Sequence, residues 1–371
     1  VKSLNCSFFP SCNACTEWNT PYIQQEIDKI TNLRKLLNAS GIDYFQEINF
    51  FSSGPQGQRH KADFGCEYDE NQRKYKFGYF DKSGHIFHIN NCLQYTPELQ
   101  NLFSIFLELG LPENLKIKKS SIRLRVGPNH LKGVWFDMAN TDIKNILDEK
   151  FYLESLIAEG FIIEIGQKKK IVKRTNNILK LKEPELHPWF KTWDHLDQAH
   201  PMQGHISSFT QPSWHSGKLL IDELRNRLKQ TESERILEFG AGIGFFSKLL
   251  SKSCKKLTIL EIDPTSLEAL KCNLADEQQK VEIRIGNYHQ EKIEGHFDLV
   301  FVNPARSGLK NFSENLLQLL PDRIIYISCF PESMMIDLKR LKSEYSVCNI
   351  SIVDQFPQTK HYEIFCELRK N

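Results

Sequence analysis

The sequence predicts a two-part chain, an α+β region followed by an open doubly wound α/β sheet, and two patterns carry the prediction. In the C-terminal part, the apolar strands RILEFG, KLTILEID, VEIRIG, FDLVFVNP, RIIYISC, SVCNISIVDQ and YEIFCEL alternate with helical stretches. That is the grammar of a mostly parallel sheet with crossover helices. Between about 45 and 185, by contrast, KYKFGYFD, HIFHIN, SIRLRVG, KGVWFDM and FIIEIG are short and bounded by glycine, asparagine or charge, which predicts an antiparallel sheet. PELQNLFSIFLELG and TDIKNILDEKFYLESL read as helices within it.

Ahead of both lies a cysteine loop of about 20 residues and then PYIQQEIDKITNLRKLLNAS. In this segment Ile23, Ile27, Ile30, Leu33 and Leu37 recur every three or four residues, Pro21 suits a first turn, and Gly41 is a stop. The segment EPELHPWFKTWDHLDQAHPMQG, rich in Pro, His and Trp, reads as the linker before the α/β part. The resulting expectation is three regions: 1–44, 45–190 and 191–371.

With 371 residues, the chain is too long for one ordinary core. A hydrophobic share of 40% and a charged share of 25% exclude a disordered or membrane-embedded class. Apolar runs stay well short of a spanning helix. Nothing near Val1 resembles a signal peptide, which predicts a cytoplasmic location. A net charge of +2 argues against a histone-like binder. Positive charge is nevertheless concentrated in GQKKKIVKR (Lys168, Lys169, Lys170, Lys173, Arg174) and QRHK (Arg59, His60, Lys61). Such runs are either solvated faces or the lining of a nucleic-acid groove.

Of the ten cysteines three cluster at the N-terminus, which without a secretion signal reads as metal chemistry and not a disulfide framework. Cys6, Cys12 and Cys15 form C-x5-C-x2-C, three soft thiolates that require a fourth ligand. Cys92 is the preferred candidate and Cys66 the alternative. Zinc and an iron–sulfur cluster use the same donors, so spacing alone leaves both open.

In ILEFGAGIGFF an apolar strand reaches Glu238 and is followed by Gly240, Gly242 and Gly244. Glycines permit a tight turn and let a ligand approach the backbone. A dinucleotide fingerprint has G-x-G-x-x-G. Here the spacing is G-x-G-x-G, which resembles motif I of class I S-adenosylmethionine-dependent methyltransferases. Glu261 closes the next strand, where a carboxylate can accept hydrogen bonds from ribose hydroxyls, and Asn303 ends FDLVFVN at the ligand-binding edge expected of such a sheet.

Cys329 follows the strand RIIYIS, and Glu363 lies in HYEIFCEL. An exposed thiolate at the first position can add to an electrophilic ring, and a carboxylate at the second can collect a proton as the adduct breaks. Uracil C5 needs this pair. It is a poor nucleophile until a thiolate adds at C6, and loss of its proton then permits elimination. His361 is either a substrate contact or a packed side chain.

Taken together, these motifs resemble, over essentially the whole chain, the RNA uracil-5 methyltransferases of the TrmA/RumA/RlmC group. The match is nearest to the RlmC type, which methylates 23S rRNA and lacks an N-terminal TRAM domain; only five residues precede Cys6 here. The resemblance implies a class I, Rossmann-like methyltransferase domain, a central α+β RNA-binding domain and an N-terminal iron–sulfur region. It further implies a [4Fe–4S] cluster on Cys6, Cys12, Cys15 and Cys92. The segment GQRHK implies RNA contacts from Arg59 and Lys61, and SFTQPSWHSGKLL implies that Gln211 touches S-adenosylmethionine. Gly240, Gly242, Gly244, Glu261 and Asn303 complete the implied cofactor site, SCFP supplies Cys329 as nucleophile, and HYE supplies Glu363 as base. The implied partner is 23S rRNA, with a monomeric enzyme; tRNA methylation and noncatalytic RNA binding are the competing functions. Departures from the family pattern are CNAC for CGGC, Asn303 for the usual Asp, and Phe330 for the asparagine of SCNP.

Overall fold

The computed structural model describes residues 5–138, 141–176, 178–229, 233–286 and 293–371. It divides into two compact units. One contains the chain up to Asn19, Gln56–Phe190 and Gln203–Ser208; the other contains Thr20–Pro55, Lys191–Met202 and Phe209–Asn371. The expected 1–44 region is therefore split, because its cysteine loop belongs to the first unit and its helix to the second.

In chain order the second unit begins with α1 (Tyr22–Ala39) and β1 (Asn49–Ser52). The first unit is then built from β2 (Lys61–Asp69), β3 (Lys74–Phe80), β4 (Ile86–His88), α2 (Pro97–Leu109), β5 (Ser120–Gly127), β6 (Leu131–Asp137), α3 (Ile143–Asp148), α4 (Lys150–Ala158), β7 (Phe161–Ile165), β8 (Lys170–Thr175) and β9 (Ile178–Lys182). Its strands form one sheet in the order β4-β3-β2-β5-β6-β7-β8-β9. The sheet is antiparallel except at β6–β7, which is parallel. Parallel neighbours need a long crossover, and the segment carrying α3 and α4 supplies it.

Period-two alternation gives this sheet two faces. Ala62, Phe64 and Cys66 of β2 and Ile122, Leu124 and Val126 of β5 are buried in the apolar core, which also contains Leu99, Leu102, Phe103 and Phe106 of α2. Those four α2 residues follow helical spacing. Thr96 Oγ1 accepts from Leu99 N (3.3 Å) to cap the helix, Pro97 opens it, and Gly110 ends it at φ 62°. Phe103 and Phe106 meet Phe64 edge-on, with centroids 5.2 and 6.0 Å away. Full burial of each such ring contributes about 1.5–3 kcal/mol.

Two strands, β10 (His187–Trp193) and β11 (Ala199–Gly204), pair separately and span the boundaries between the units. The second unit continues with α5 (Trp214–Leu228), β12 (Ser233–Phe239), α6 (Ser247–Lys252), β13 (Cys254–Glu261), α7 (Pro264–Asn273), β14 (Val281–Ile285), β15 (Leu299–Val302), α8 (Phe312–Leu319), β16 (Arg323–Ser328), α9 (Pro331–Leu341), β17 (Tyr345–Asp354) and β18 (Glu363–Lys370). Its sheet order is β1-β17-β18-β16-β15-β12-β13-β14. β18 alone runs against its neighbours. This is the doubly wound sheet expected from the strand–helix alternation, with β1 added at one edge.

Helix α1 buries a different stripe from the one its isoleucines suggested. Gln25, Lys29, Leu33 and Leu37 are buried, whereas Ile23 is 65% exposed and Ile27 48%. The reason is a polar anchor. Lys29 Nζ lies 2.9 Å from Asp354 Oδ1, Tyr22 Oη donates to Asp354 Oδ2 (2.7 Å), and Gln25 Nε2 donates to Gln358 Oε1 (2.9 Å). Removing one member of a buried ion pair strands the other charge, at a cost of about 3–5 kcal/mol. Lys29→Met should therefore lower the unfolding free energy by about 3 kcal/mol in a urea titration; a change below about 1 kcal/mol would show that the pair adds little.

Candidate active site

The cofactor turn follows β12. Gly240, Gly242 and Gly244 have φ of 68°, 56° and 91°, a region that favours glycine. A Cβ on Gly240 would lie 3.0 Å from the Asn303 carbonyl oxygen, and one on Gly244 would lie 2.8 Å from Leu270 Cδ1. At Gly242 nothing lies within 4 Å, so the middle of the turn opens onto space a ligand can enter. Gly242 N donates to Glu261 Oε2 (2.8 Å), and Oε1 accepts from Ile262 N (2.8 Å) and Asp263 N (2.9 Å). The Glu261 carboxylate is thereby fixed at the end of β13, beside the turn. From outside, Asn273 Nδ2 donates to Ile243 O (2.8 Å) and holds the loop in place.

Glu238, one residue before the end of β12, is fully buried. Neither of its carboxyl oxygens reaches hydrogen-bond geometry with a described residue. Burial pushes its pKa up to about 8; nearby Ser247 offsets part of the rise and Glu261 adds to it. A buried carboxyl without a full partner at a ligand turn marks a place where a donor would be stabilised. Sequence reasoning used Glu238 only as a strand end, although an acid within the apolar run RILEF was the available signal.

The proposed nucleophile and base are brought together by strand register. Ser328 pairs with Ile364 across the antiparallel β16–β18 ladder, so Cys329, one step on, falls beside Glu363. On the other side Glu363 pairs with Val353 of β17. Cys329 is half-buried, not openly exposed as expected. Burial raises its thiol pKa above the ordinary value and Glu363 raises it further, while Arg306 lowers it through its charge and a hydrogen bond. Glu363 is 7% exposed, and burial pushes its carboxyl up to about 7 against a hydrogen bond from Gln355 and the charge of Arg306. Arg306, from the PARSG loop, therefore acts on both groups. Sequence reading had taken Arg306 for a loop or substrate contact without placing it between these two groups, and had passed over Gln355.

Gln211, expected at the cofactor, is buried, and its Oε1 accepts from Gln355 Nε2 (3.0 Å). Ser213 caps α5 directly after it, accepting from His215 N (3.1 Å) and Ser216 N (3.3 Å). His361 is exposed over much of its surface, and partial desolvation of its ring, then the charge of Arg306, lowers its pKa. Phe330, in place of the family's asparagine, is 36% exposed, and its N–H bonds Ser328 Oγ (3.1 Å).

In the first unit Cys6, Cys12, Cys15 and Cys92 line one cavity together with Phe8, Phe9 and Trp18. Burial pushes the Cys15 thiol up to about 11 and that of Cys92 up to about 12, and the thiols raise one another. Cys66 lies elsewhere, in β2 opposite Phe77, and is fully buried in the apolar core. No three of the four gathered thiols lie within 4.8 Å of one another; among the described residues His296, Asp298 and Asp322 form the group that does.

Arg59 sits near this cavity, where its charge lowers the Cys15 thiol. Lys61 pairs across strands with Arg125, and Asp63 with Arg123, so all four share the face opposite the apolar core. Arg125 is not solvent-facing: its Nη1 donates to the carbonyls of His205, Ile206 and Ser208 (3.1–3.2 Å). Burial, then Arg125 and Arg123, drives the Lys61 ammonium well below its usual range. In the GQKKKIVKR run, Lys170, Lys173 and Arg174 face Glu183, Glu185 and Glu154, which makes that segment a paired, solvated hairpin.

Comparison with known proteins identifies the family. Residues 282–371 match the family model described as tRNA (Uracil-5-)-methyltransferase, and residues 214–320 match the methyltransferase small domain. An uncharacterized RNA methyltransferase of Bdellovibrio bacteriovorus is 35% identical over 100% of this chain and 96% of its own. A tRNA/tmRNA (uracil-C(5))-methyltransferase of Sulfurimonas denitrificans is 25% identical over 99% and 100%. A 23S rRNA (uracil(747)-C(5))-methyltransferase of Pyrococcus abyssi is 28% identical over 45% and 40%. The crystal structure of the Pyrococcus abyssi tRNA (uracil-54, C5)-methyltransferase with S-adenosyl-L-homocysteine shares the fold, with a TM-score of 0.68 at 20% identity over 97% of this chain and 86% of that one. The fold and the site define an S-adenosylmethionine-dependent methyltransferase. The chain belongs to the RNA uracil-C5 methyltransferases, the TrmA/RumA/RlmC group.

Loss of a charge-assisted hydrogen bond costs about 1.5–3 kcal/mol. Glu261→Ala should therefore weaken S-adenosylmethionine binding at least about tenfold in calorimetry. Unchanged affinity would remove Glu261 from the cofactor site.

Proposed function

We propose that this enzyme methylates C5 of a uracil in 23S rRNA, giving 5-methyluridine, through a covalent adduct between Cys329 and C6. The observation that carries the reading is the pairing of a strand-end thiol with a buried carboxylate under a shared arginine. Pure RNA binding explains neither group. When bound, S-adenosylmethionine supplies a methyl group on an electrophilic sulfonium. The Cys329 thiolate adds to C6, and the electron pair moved onto the ring makes C5 nucleophilic. After C5 has taken the methyl group, Glu363 removes its proton, the electrons return to the ring, and the C6–S bond breaks to restore the thiolate. Arg306 favours both anions. Gly240, Gly242, Gly244, Glu261, Asn303 and Gln211 are assigned to the cofactor, and Arg59 and Lys61 to RNA.

The choice of 23S rRNA draws on Asn303, which resembles the RlmC type, and on the Pyrococcus abyssi relative named for uracil 747. A tRNA substrate is the second reading, favoured by the Sulfurimonas denitrificans relative that spans the chain. Methyl transfer to unmodified 23S fragments and tRNA, followed by nucleoside mapping, distinguishes them; methylation of tRNA alone would overturn the rRNA assignment. Cys329→Ala should abolish turnover and the stable adduct with 5-fluorouracil RNA while the fold is retained. Glu363→Gln should stall as a methylated covalent complex, and a normal rate in either variant would refute its role. With Glu363 raised to about 7, wild-type release of methylated RNA should climb as pH rises through that value, because the base that frees the adduct works only once ionised.

Cys6, Cys12, Cys15 and Cys92 are assigned to a structural [4Fe–4S] cluster. Four thiolates around one cavity suit such a group. Anaerobically purified protein should contain iron and sulfide. Cys92→Ser should lose the iron, whereas Cys66→Ser should keep it. Stoichiometric zinc without sulfide would defeat the assignment.

A further inference from the structure

We infer that Gln355 is a positioning residue that links the cofactor side of the site to the base, by giving one amide proton to Gln211 and the other to Glu363. The inference rests on the reaction proposed above and adds a part to it.

Gln355 directly follows β17 and is 1% exposed, so its carboxamide must find partners within the protein. Its Oε1 accepts from Ser216 Oγ (3.2 Å), and its Nε2 donates to Gln211 Oε1 (3.0 Å) and hydrogen-bonds the Glu363 side chain. The orientation of the amide follows from chemistry. An ionised carboxylate only accepts, so the NH2 end must face Glu363, and its second proton is then available to Gln211. Gln211 therefore spends its carbonyl on Gln355 and keeps its own amide protons for an acceptor on another group.

The residue is also held firmly from behind. Asp354 is clamped by Lys29 (2.9 Å) and Tyr22 (2.7 Å), and it accepts from Phe356 N (3.1 Å); Gln355 N donates to Val353 O (3.1 Å). The backbone on each side of Gln355 is thus fixed by groups remote from the chemistry.

Two effects follow. A bond donated to the carboxylate favours the ionised base against its burial. It also fixes the direction of Glu363 beside Cys329. The same side chain that presents Gln211 thereby keeps the proton acceptor ready.

The test uses the full chain with Gln355→Met, similar in length without hydrogen bonds, and the isosteric Gln355→Glu, whose charge opposes ionisation of Glu363. Single-turnover release of methylated RNA is followed against pH, together with RNA and S-adenosylmethionine affinity and the amount of methylated covalent complex. The rising limb should move up by about one pH unit or more, the neutral-pH rate should fall about tenfold, and the rate should recover at alkaline pH. The methylated complex should accumulate on the acidic side. A uniform loss of rate with an unmoved limb would mean a merely structural residue and overturn the inference. Should Gln355→Met fail to fold, Gln355→Glu decides by the same limb. A wild-type protein that does not methylate uracil would overturn the reaction and this inference together, whereas an active wild type with an unmoved variant limb overturns the inference alone.

Discussion

Much of the second unit depends on one strand running the wrong way. β18 enters between β16 and β17 antiparallel to both, so its first residue lies where β16 delivers its last. A parallel β18 would begin at the far end of the sheet and carry Glu363 away from Cys329. Because register in a sheet is set by the ladder, the separation of the two groups is held by backbone hydrogen bonds and not by flexible side chains. The glycine turn after β12 and the carboxylate ending β13 lie at the same edge, where every parallel strand finishes. An open α/β sheet presents its ligand edge there.

Burial then sets the chemistry. Removing Glu363 from water raises its carboxyl towards neutrality, where a base can both take and release a proton. The same effect raises Cys329 and works against thiolate formation, and Arg306 is the cation that opposes it at both groups. The half-burial of Cys329 thus works against the nucleophilic role proposed for it, and Arg306 is what offsets it. Glu238 belongs to the same economy of charge, since a second buried acid beside Glu261 is held largely protonated.

The first unit uses its sheet differently. One face packs α2 and an aromatic cluster, and the other carries Lys61, Asp63, Arg123 and Arg125. Arg125 shows that a basic residue on the polar face need not be a nucleic-acid contact, because three backbone carbonyls occupy its guanidinium. The neighbouring cysteine cavity draws its thiols from an N-terminal loop and from the segment after β4.

The sequence alone determined what local pattern can encode. Strand–helix alternation defined β12 to β18, and the G-x-G-x-G spacing required a turn with positive φ, which its three glycines adopt. Cys329 was a candidate as a thiol following a strand, and Glu363 as a carboxylate within one, each a residue type suited to nucleophile or base. Tertiary structure decided what depends on partners remote in the chain. β1 pairs with β17 about 300 residues away, and a four-residue strand carries too little pattern to announce that. Asp354 and Gln358, distant in sequence, turned the buried stripe of α1 towards Gln25 and Lys29. Cys92 and Cys66 are alike as thiols, and only folding put one in the cavity and the other in the core. Arg306 and Gln355 gained their places in the same way. A side chain's chemistry is local, but its neighbours are chosen by the packing of the whole unit.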